Sequence, residues 1–206
     1  MGPKYEYNER DLERYDGIEV TDATDVDVAQ LIKDRNIISI FQGRAEAGPR
    51  ALGNRSIVYD PTDPNGKDFV NTVKGREWFR PFAGSILQEH AKEWFDLRGC
   101  EETPYMMYAM EIVPNHIGEI PAVTHVDGTC RIQTVTQEQN KNYYNLINEF
   151  YKLSGVPLVF NTSFNLGGQP LVETLDDAIF TLSNSKLEYL YMPELGKLIK
   201  VANKEE

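Results

Sequence analysis

Arginine, lysine and glycine are concentrated in one stretch of an otherwise acidic chain, and these residue types bind anions. Residues 44–80 contain seven Lys/Arg against five Asp/Glu, whereas the whole chain has a formal net charge of −11. Guanidinium groups hold phosphate and carboxylate oxygens through paired, charge-assisted hydrogen bonds. Glycine lets the backbone approach a ligand closely. The stretch therefore predicts a pocket for a small phosphorylated or carboxylated molecule.

The cations of this stretch have two possible roles. Arg50, Arg55 and Arg80 each lie beside a proline or an asparagine in an irregular stretch. We expect Arg50, Lys74 and Arg80 in the pocket, with Lys74 as a point charge for a phosphate oxygen or a developing negative charge. Arg44 and Arg76 are close to acidic residues in the sequence, so we expect them to form ion pairs. The alternative for the whole set is that neighbouring carboxylates pair with every cation.

A second polar segment, Asn161 to Asn165, follows an apolar run at 157–160 and precedes Gly167 and Gly168. Short amide and hydroxyl side chains bind sugars, carbonyl oxygens or phosphates, although a segment of this kind is more often an ordinary turn. The sequence contains neither a GxxxxGK[ST] phosphate loop nor a GxGxxG fingerprint. Any nucleotide site must therefore be of another type.

Histidine and cysteine give little indication of chemistry. The three histidines are scattered without a metal-binding spacing, and we expect His125 to be structural. Cys100 and Cys130 have no obvious partner for a disulfide, a zinc site or nucleophilic catalysis. We therefore expect no metal ligands from the protein.

The composition bounds the class of protein. With 206 residues and 41% hydrophobic residues, the chain is long enough for one domain with a sizeable core. Its net negative charge makes nucleic acid or an anionic membrane an improbable general partner, because the mean field repels both. The polar N-terminus does not resemble a signal peptide, and no apolar run approaches the roughly 20 residues that span a bilayer. We expect a cytoplasmic protein.

The apolar pattern predicts an α/β fold. Residues 1–19 are polar and lack periodicity, so we expect an N-terminal arm or linker there and one domain over 20–206. Helices are predicted at 26–33, 67–73, 88–95, 143–153 and 175–184, and strands at 37–41, 56–59, 82–87, 106–113, 128–135, 157–160, 189–191 and 198–199. The basic stretch begins where a strand ends, which is where open α/β sheets place ligands.

Four segments resemble the C-terminal domain of the O-carbamoyltransferases that act on nodulation factors and antibiotics. They are GRAEAGPRALGNRSI (43–57), KGREWFRPFAGSI (74–86), HVDGTCRIQTV (125–135) and NTSFNLGGQPLVETLDDAI (161–179). The resemblance implies a YrdC-like fold, a twisted open mixed sheet with flanking helices. It also implies that the domain takes ATP, with Mg²⁺, and carbamoyl phosphate and forms carbamoyl-adenylate. An ASKHA-fold N-terminal domain would then pass the carbamoyl group to an acceptor hydroxyl.

The same resemblance implies site residues by matching position. Catalytic roles are expected for Lys74, Arg80 and Arg131. Cofactor binding is expected of Arg50, Asn54, Arg55, Asn161, Ser163 and Asn165. Carbamate and the α-phosphate of ATP are both anions, so bringing them together requires dense positive charge at fixed positions and no protein nucleophile.

The N-terminal domain of that family is absent from these residues, so we expect it to act in cis or in trans. Met1, directly before the junction-like Gly2-Pro3, favours a separately encoded half over a fragment. Two alternatives remain. One is a non-catalytic nucleotide-binding or scaffold subunit, for which Ala45 and Ala47, in place of larger residues in the family, leave room. The other is a threonylcarbamoyl-adenylate synthase acting for tRNA, which the acidic charge disfavours.

Overall fold

The apolar segments of the sequence pair into one mixed sheet. In the computed structural model, which describes residues 2–202, the strands are β1 (Ile18–Asp22), β2 (Ile38–Phe41), β3 (Arg55–Tyr59), β4 (Ala83–Leu87), β5 (Phe95–Asp96), β6 (Ala109–Ile112), β7 (Thr129–Val135), β8 (Leu158–Ser163), β9 (Tyr189–Met192) and β10 (Lys197–Val201). Their order is β1-β10-β9-β2-β3-β8-β4-β7-β6-β5. The pairs β2–β9 and β4–β7 are parallel and the other neighbours are antiparallel. The predicted mixed open sheet is confirmed.

In the described part of the chain, six α-helices flank this sheet: α1 (Glu9–Leu12), α2 (Asp25–Lys33), α3 (Gly66–Lys74), α4 (Ala91–Trp94), α5 (Lys141–Ser154) and α6 (Leu175–Ser183). The N-termini of α2 and α6 are fixed by capping boxes at Thr24 and Thr174. The helix α3 ends at Gly75, whose φ of 63° belongs to the left-handed region that glycine tolerates best. This stop fixes the position of Lys74, the last residue of α3.

A hydrophobic core lies between the sheet and its helices. Val28 and Ile32 of α2 and Ile147 and Phe150 of α5 are each fully buried in it. The helix α5 begins at Asn140, whose side chain accepts a hydrogen bond from the backbone N–H of Tyr143, and it ends at Gly155. The core therefore holds α5 rigidly against the middle of the sheet, next to the strands that carry polar residues.

Three central strands bring distant polar residues into one row. Ala83 of β4 is in register with Arg131 of β7 on one side and with Asn161 of β8 on the other. Register partners project to the same face of a sheet, and so do residues two positions further along each strand. The side chains of Ser85 and Gln133, which are also register partners, therefore lie on this face too.

The N-terminal segment packs against the body of the domain. The backbone N–H of Gly2 donates to the Ala45 carbonyl at 2.6 Å, and the N–H of Ala45 donates to the Pro3 carbonyl at 2.9 Å. Leu12 of α1 is buried in the core. The first strand begins at Ile18, two residues before the boundary expected from the sequence.

Three predicted elements are wrong in extent, while the others match within two residues at each end. The helix predicted at 88–95 is a 3₁₀ turn followed by α4 and β5. The strand predicted at 106–113 covers 109–112 alone, because Met106 has a φ of 52° that no strand accommodates. The strand predicted to stop at Phe160 continues to Ser163, since β3 and β4 pair with it on both sides.

Candidate anion-binding site

The end of the central strands opens into a cavity of about 780 Å³, within the usual range for small-molecule sites. Among the described residues, its charged lining consists of Arg50, Lys74, Arg76, Arg80, Arg131 and one acid, Glu77. The strand β8 and the turn after it add Asn161, Thr162, Ser163 and Asn165. The fold therefore brings the basic stretch and the second polar segment of the sequence together at one cavity.

Lys74 is almost completely buried at the floor of the cavity, with 2% of its surface exposed. Its Nζ donates to the carbonyl oxygen of Ser163, to Asn165 Oδ1 at 3.1 Å and to Thr162 Oγ1 at 3.5 Å. All of these acceptors are neutral. Burial, with a smaller contribution from the positive charge of Arg76, lowers the pKa of Lys74 to about 7. The protonation of this amine therefore responds to any anion that enters the cavity.

Arg50 and Arg131 form a pair of like charges, and no carboxylate of residues 2–202 makes a compensating contact with either of them. The Nη1 of Arg50 donates to the Pro49 carbonyl at 2.9 Å. The Nε atoms of both residues are buried and have no hydrogen-bond partner within residues 2–202. Burial first, and the charge of Arg50 second, lower the pKa of Arg131. An anion between these guanidinium groups would satisfy their donors and remove their repulsion.

Arg76 also faces the cavity, although the sequence suggested an ion pair. Its guanidinium lies 4.1 Å from the ring centroid of Phe82, and its Nε donates to Asn71 Oδ1 at 2.6 Å. Across the described part of the chain it forms no salt bridge, so the predicted ion pair is wrong. The neighbouring carboxylate, Glu77, instead lies 2.7 Å from Arg80 Nε. Burial, and then the charges of other arginines, lower the pKa of Arg76 to about 10.

Arg80 combines the two roles that the sequence left open. It lines the cavity, as expected, and it is also paired with Glu77 three residues before it. Its side chain is 53% exposed, so this ion pair is screened by water and stabilises the fold little. Arg80 can therefore exchange Glu77 for a ligand at small cost.

Backbone contacts hold the polar turn after β8 against the end of α3. The N–H of Gly167 donates to the Lys74 carbonyl at 2.7 Å. A Cβ at position 167 would lie 2.7 Å from the Gly75 carbonyl oxygen, so a larger residue would separate the two segments. Ser163 Oγ donates to Asn165 Oδ1 at 2.6 Å. The acceptors around Lys74 are thus fixed before a ligand arrives.

Glu46 shapes the glycine-rich loop that carries Arg50. Its carboxylate accepts hydrogen bonds from the backbone N–H groups of Leu52 at 2.8 Å, Asn54 at 3.0 Å and Arg55 at 3.1 Å. Burial raises the pKa of Glu46, while these three hydrogen bonds oppose the rise. Glu46 therefore organises the loop through its backbone.

Arg55 and Asn54, both expected to bind the cofactor, lie outside the cavity lining. Arg55 is fully buried in β3, where Nη1 donates to the Gln42 carbonyl at 2.6 Å and Nη2 to the Glu173 carbonyl at 3.0 Å. Asn54 Nδ2 donates to the Arg44 carbonyl at 3.0 Å. Both expectations are corrected: these side chains hold the glycine-rich loop to the sheet.

Sequence reasoning missed Arg76 and Met106 among the lining residues. For Arg76, the available signal was Phe82, an aromatic partner inside the same segment. Nothing in the local sequence marked Met106, whose left-handed backbone turns a buried side chain toward the cavity.

The surroundings of His125 and Cys130 are structural. His125 lies with Nε2 2.9 Å from the Phe82 carbonyl oxygen and Nδ1 3.1 Å from Thr129 Oγ1, a structural arrangement. Burial raises the pKa of the Cys130 thiol to about 12, which suppresses the thiolate. Within residues 2–202, no group of three or more His, Cys, Asp or Glu residues is placed to hold a metal ion, and no helix is long and apolar enough to cross a membrane.

The family model for the carbamoyltransferase C-terminus matches residues 29–197. The chain belongs to this family. Over 164 residues it is 45% identical to nodulation protein NolNO of Sinorhizobium fredii (strain NBRC 101917 / NGR234), a match that covers 79% of this chain and 24% of that protein. The carbamoyltransferase C-terminal domain described here thus spans about a quarter of the length of such relatives.

Two solved structures share the fold at low sequence identity. Full-length HypF in its phosphate- and nucleotide-bound form aligns with a TM-score of 0.56 and 16% identity, covering 82% of this chain and 27% of that one. A double variant of Sua5 from P. abyssi aligns with a TM-score of 0.55 and 14% identity, covering 82% and 48%. The carbamoyltransferase domain therefore has the YrdC-like α/β fold that its sequence predicted.

Proposed function

We propose that this carbamoyltransferase domain binds ATP and carbamoyl phosphate and forms carbamoyl-adenylate. The observation that carries the proposal is the charge of one cavity: five Lys or Arg residues and one acid line it within the described part of the chain. Arg50 and Arg131 there keep buried donors unsatisfied. Buried cations without counterions destabilise a fold, so their arrangement is best explained by an anionic ligand.

The reaction requires two anions to approach each other. Carbamoyl phosphate and water give carbamate and inorganic phosphate. A carbamate oxygen then attacks the α-phosphorus of ATP, the bond from that phosphorus to the α–β bridging oxygen breaks, and pyrophosphate leaves with the electron pair. Arg50 and Arg131 would hold the two anionic groups in position, and Lys74 would offset the charge that develops during attack. No step needs a protein nucleophile.

The cavity fits a nucleotide that brings its own Mg²⁺. Among the described lining residues the one carboxylate, Glu77, is engaged by Arg80. Mg²⁺ prefers oxygen ligands and commonly binds through substrate phosphates. The metal would therefore be held by the triphosphate and would neutralise part of its charge. The fold supports the proposal as well, since the similar HypF structure is of a phosphate- and nucleotide-bound form.

Transfer to an acceptor would need a further domain. Because this chain covers 24% of NolNO, we propose that an ASKHA-fold N-terminal domain, in cis or on a partner chain, takes the carbamoyl group from carbamoyl-adenylate and passes it to an acceptor hydroxyl. The cavity described here would then act only in activation.

ATP–pyrophosphate exchange tests the activation step. We expect exchange of labelled pyrophosphate into ATP that depends on carbamoyl phosphate or carbamate, with carbamoyl-adenylate detected by mass spectrometry. Arg131→Ala should abolish exchange while leaving the circular dichroism spectrum unchanged. Nucleotide binding without exchange, even after addition of a family N-terminal domain, would indicate the scaffold alternative. Exchange that requires threonine and bicarbonate would indicate a threonylcarbamoyl-adenylate synthase. Binding of neither ATP nor carbamoyl phosphate would overturn the proposal.

A further inference from the structure

Beneath the cavity, three side chains form a continuous line of hydrogen bonds. Gln133 Nε2 donates to the Leu52 carbonyl at 3.0 Å, Ser85 Oγ donates to Gln133 Oε1 at 2.8 Å, and Asn161 Nδ2 donates to Ser85 Oγ at 2.8 Å. The side chains come from the adjacent strands β7, β4 and β8, and all three are buried. This row is therefore part of the rigid sheet.

The chemistry of the partners fixes the direction of this line. The Leu52 carbonyl can only accept, so the amide nitrogen of Gln133 must face it and Oε1 must face Ser85. Asn161 Nδ2 is also 3.2 Å from the Ala51 carbonyl oxygen and 3.4 Å from Gln133 Oε1, both acceptors. The amide of Asn161 therefore has one possible orientation, which leaves its Oδ1 at the open end of the line.

Asn161 Oδ1 is a buried acceptor with no hydrogen-bond partner among residues 2–202. The residue is 1% exposed and lines the cavity. Leaving a buried acceptor unsatisfied costs stability, so each such group in a folded protein calls for an explanation, and a bound ligand is one. A ligand that satisfies Oδ1 must present an N–H or O–H donor.

The same cavity also has unsatisfied donors. Arg50 Nε and Arg131 Nε are buried without partners in the described chain. Ala83 is in register with both Arg131 and Asn161 and separates these two residues. Two strand spacings amount to about 10 Å, and the small Ala83 side chain leaves room between the flanking groups. Among the described lining residues, the cavity thus offers one unsatisfied buried acceptor and two unsatisfied buried donors, which suits a small group that carries both an N–H and oxygens.

We propose that Asn161 is the residue that selects the acyl group, by accepting a hydrogen bond from the NH₂ of a carbamoyl compound at Oδ1. Acetyl phosphate has nearly the same shape, but its methyl group offers no donor and would leave Oδ1 unsatisfied. Sites built to hydrogen-bond a substrate N–H reject analogues that lack it. The inference rests on the function proposed above and assigns the source of its substrate specificity.

The 6-amino group of adenine is a second possible source of the donor, and a binding experiment separates the two. Calorimetry with the intact chain would compare freshly prepared carbamoyl phosphate with acetyl phosphate, and ATP with inosine triphosphate, which lacks the 6-amino group. We expect wild-type protein to prefer carbamoyl phosphate over acetyl phosphate by at least about tenfold. Its preference between the two nucleotides should not depend on Asn161.

Two variants and a control assign the preference to the line of hydrogen bonds. Asn161→Ala should reduce the preference for carbamoyl phosphate to within about threefold of unity, because no acceptor remains. Ser85→Ala should reduce the preference for carbamoyl phosphate partially, because the substitution frees the Asn161 amide although Ser85 does not contact the ligand. This variant also tests the inference if Asn161→Ala does not fold. Asn145→Ala, at a position in α5 outside the cavity lining, should keep the wild-type ratio.

The outcomes distinguish this inference from the proposed function. Equal binding of the two acyl phosphates by wild-type protein would overturn the role of Asn161 and leave carbamoyl-adenylate formation standing. An unchanged ratio in folded Asn161→Ala and Ser85→Ala would overturn it as well. Loss of ATP binding in Asn161→Ala, with the preference for carbamoyl phosphate over acetyl phosphate kept, would assign the donor to adenine and contradict the proposed role of Asn161. Binding of neither phosphate compound would end both proposals.

Discussion

Lys74 Nζ lies 3.1 Å from Asn165 Oδ1, and every oxygen to which it donates is neutral. An ammonium group in such a place has lost most of its hydration without gaining a counterion. This is why its pKa falls to about 7. The missing negative charge is what an incoming phosphate or carbamate would supply, so Lys74 links the fold directly to ligand binding.

Ligand binding should therefore take up protons near neutral pH. Free Lys74, with a pKa of about 7, is largely neutral above that pH, whereas a bound anion favours the ammonium form and raises the pKa. Affinity for inorganic pyrophosphate should be highest below about pH 7 and fall as the pH rises toward 9. Calorimetry in buffers of different ionisation enthalpy measures the uptake directly.

A methionine substitution isolates the contribution of this amine. Lys74→Met should abolish the proton uptake, whereas Lys92→Met, at an exposed position in α4, should leave it unchanged. Tight pyrophosphate binding by wild-type protein without proton uptake would show that Lys74 is already charged in the free protein.

Removal of one member of the arginine pair should stabilise the ligand-free protein. Arg131 is partly buried, its Nε is unsatisfied within residues 2–202, and the charge of Arg50 adds to the lowering of its pKa. Arg131→Met removes both the unsatisfied donor and the charge repulsion, so we expect urea unfolding to show a gain of about 1 kcal/mol in the free energy of unfolding. Pyrophosphate at ten times its Kd should stabilise wild-type protein by about 1.4 kcal/mol and the variant by almost nothing.

A surface arginine provides the matched control. Arg98 lies 2.8 Å from Glu111 with both side chains more than half exposed, and Arg98→Met should change stability by less than about 1 kcal/mol. If Arg131→Met destabilises the ligand-free protein, the repulsion between Arg50 and Arg131 is smaller than the packing that Arg131 contributes.

Arg55 should behave as a structural residue. It donates to the carbonyls of Gln42 and Glu173, and its guanidinium lies 3.7 Å from the ring centroid of Phe41. Arg55→Ala would leave those carbonyls unsatisfied beside a new cavity, so we expect a loss of more than about 3 kcal/mol in urea unfolding. The affinity of the remaining folded protein for ATP should stay within a few-fold of wild type. Normal stability with lost ATP binding would restore the role that the sequence suggested.

Local sequence patterns predicted the elements and the basic character of the site, because periodicity and glycine spacing are local properties. Which cation faces the cavity depends on contacts across the fold. Arg55 looked like part of an irregular loop, but pairing of β2 with β3 turns it into the interior. Arg76 looked like a partner for Glu77, but Phe82 and Asn71 hold it elsewhere. The strand at Asn161 continues because strands on both sides supply hydrogen bonds.

Gly53 should control anion binding from outside the cavity. Its φ is 107°, and a Cβ there would lie 2.3 Å from Cδ1 of Tyr143. Gly53→Ala must therefore lift the loop from α5, which displaces the Leu52 carbonyl from Gln133 and moves Arg50. We expect a loss of about 2 kcal/mol or more in stability and at least tenfold weaker pyrophosphate binding.

A control and a double variant separate the collision with Tyr143 from backbone strain. Gly17 has a φ of 75°, and a Cβ added there would have no neighbouring atom within 4 Å, so Gly17→Ala should cost about 1 kcal/mol and leave binding unchanged. Tyr143→Ala opens the space that the new methyl group needs. If the collision displaces the loop, Gly53→Ala should weaken pyrophosphate binding much less in a Tyr143→Ala background than in wild type. An equal loss in both backgrounds would assign the effect to backbone strain at Gly53 alone.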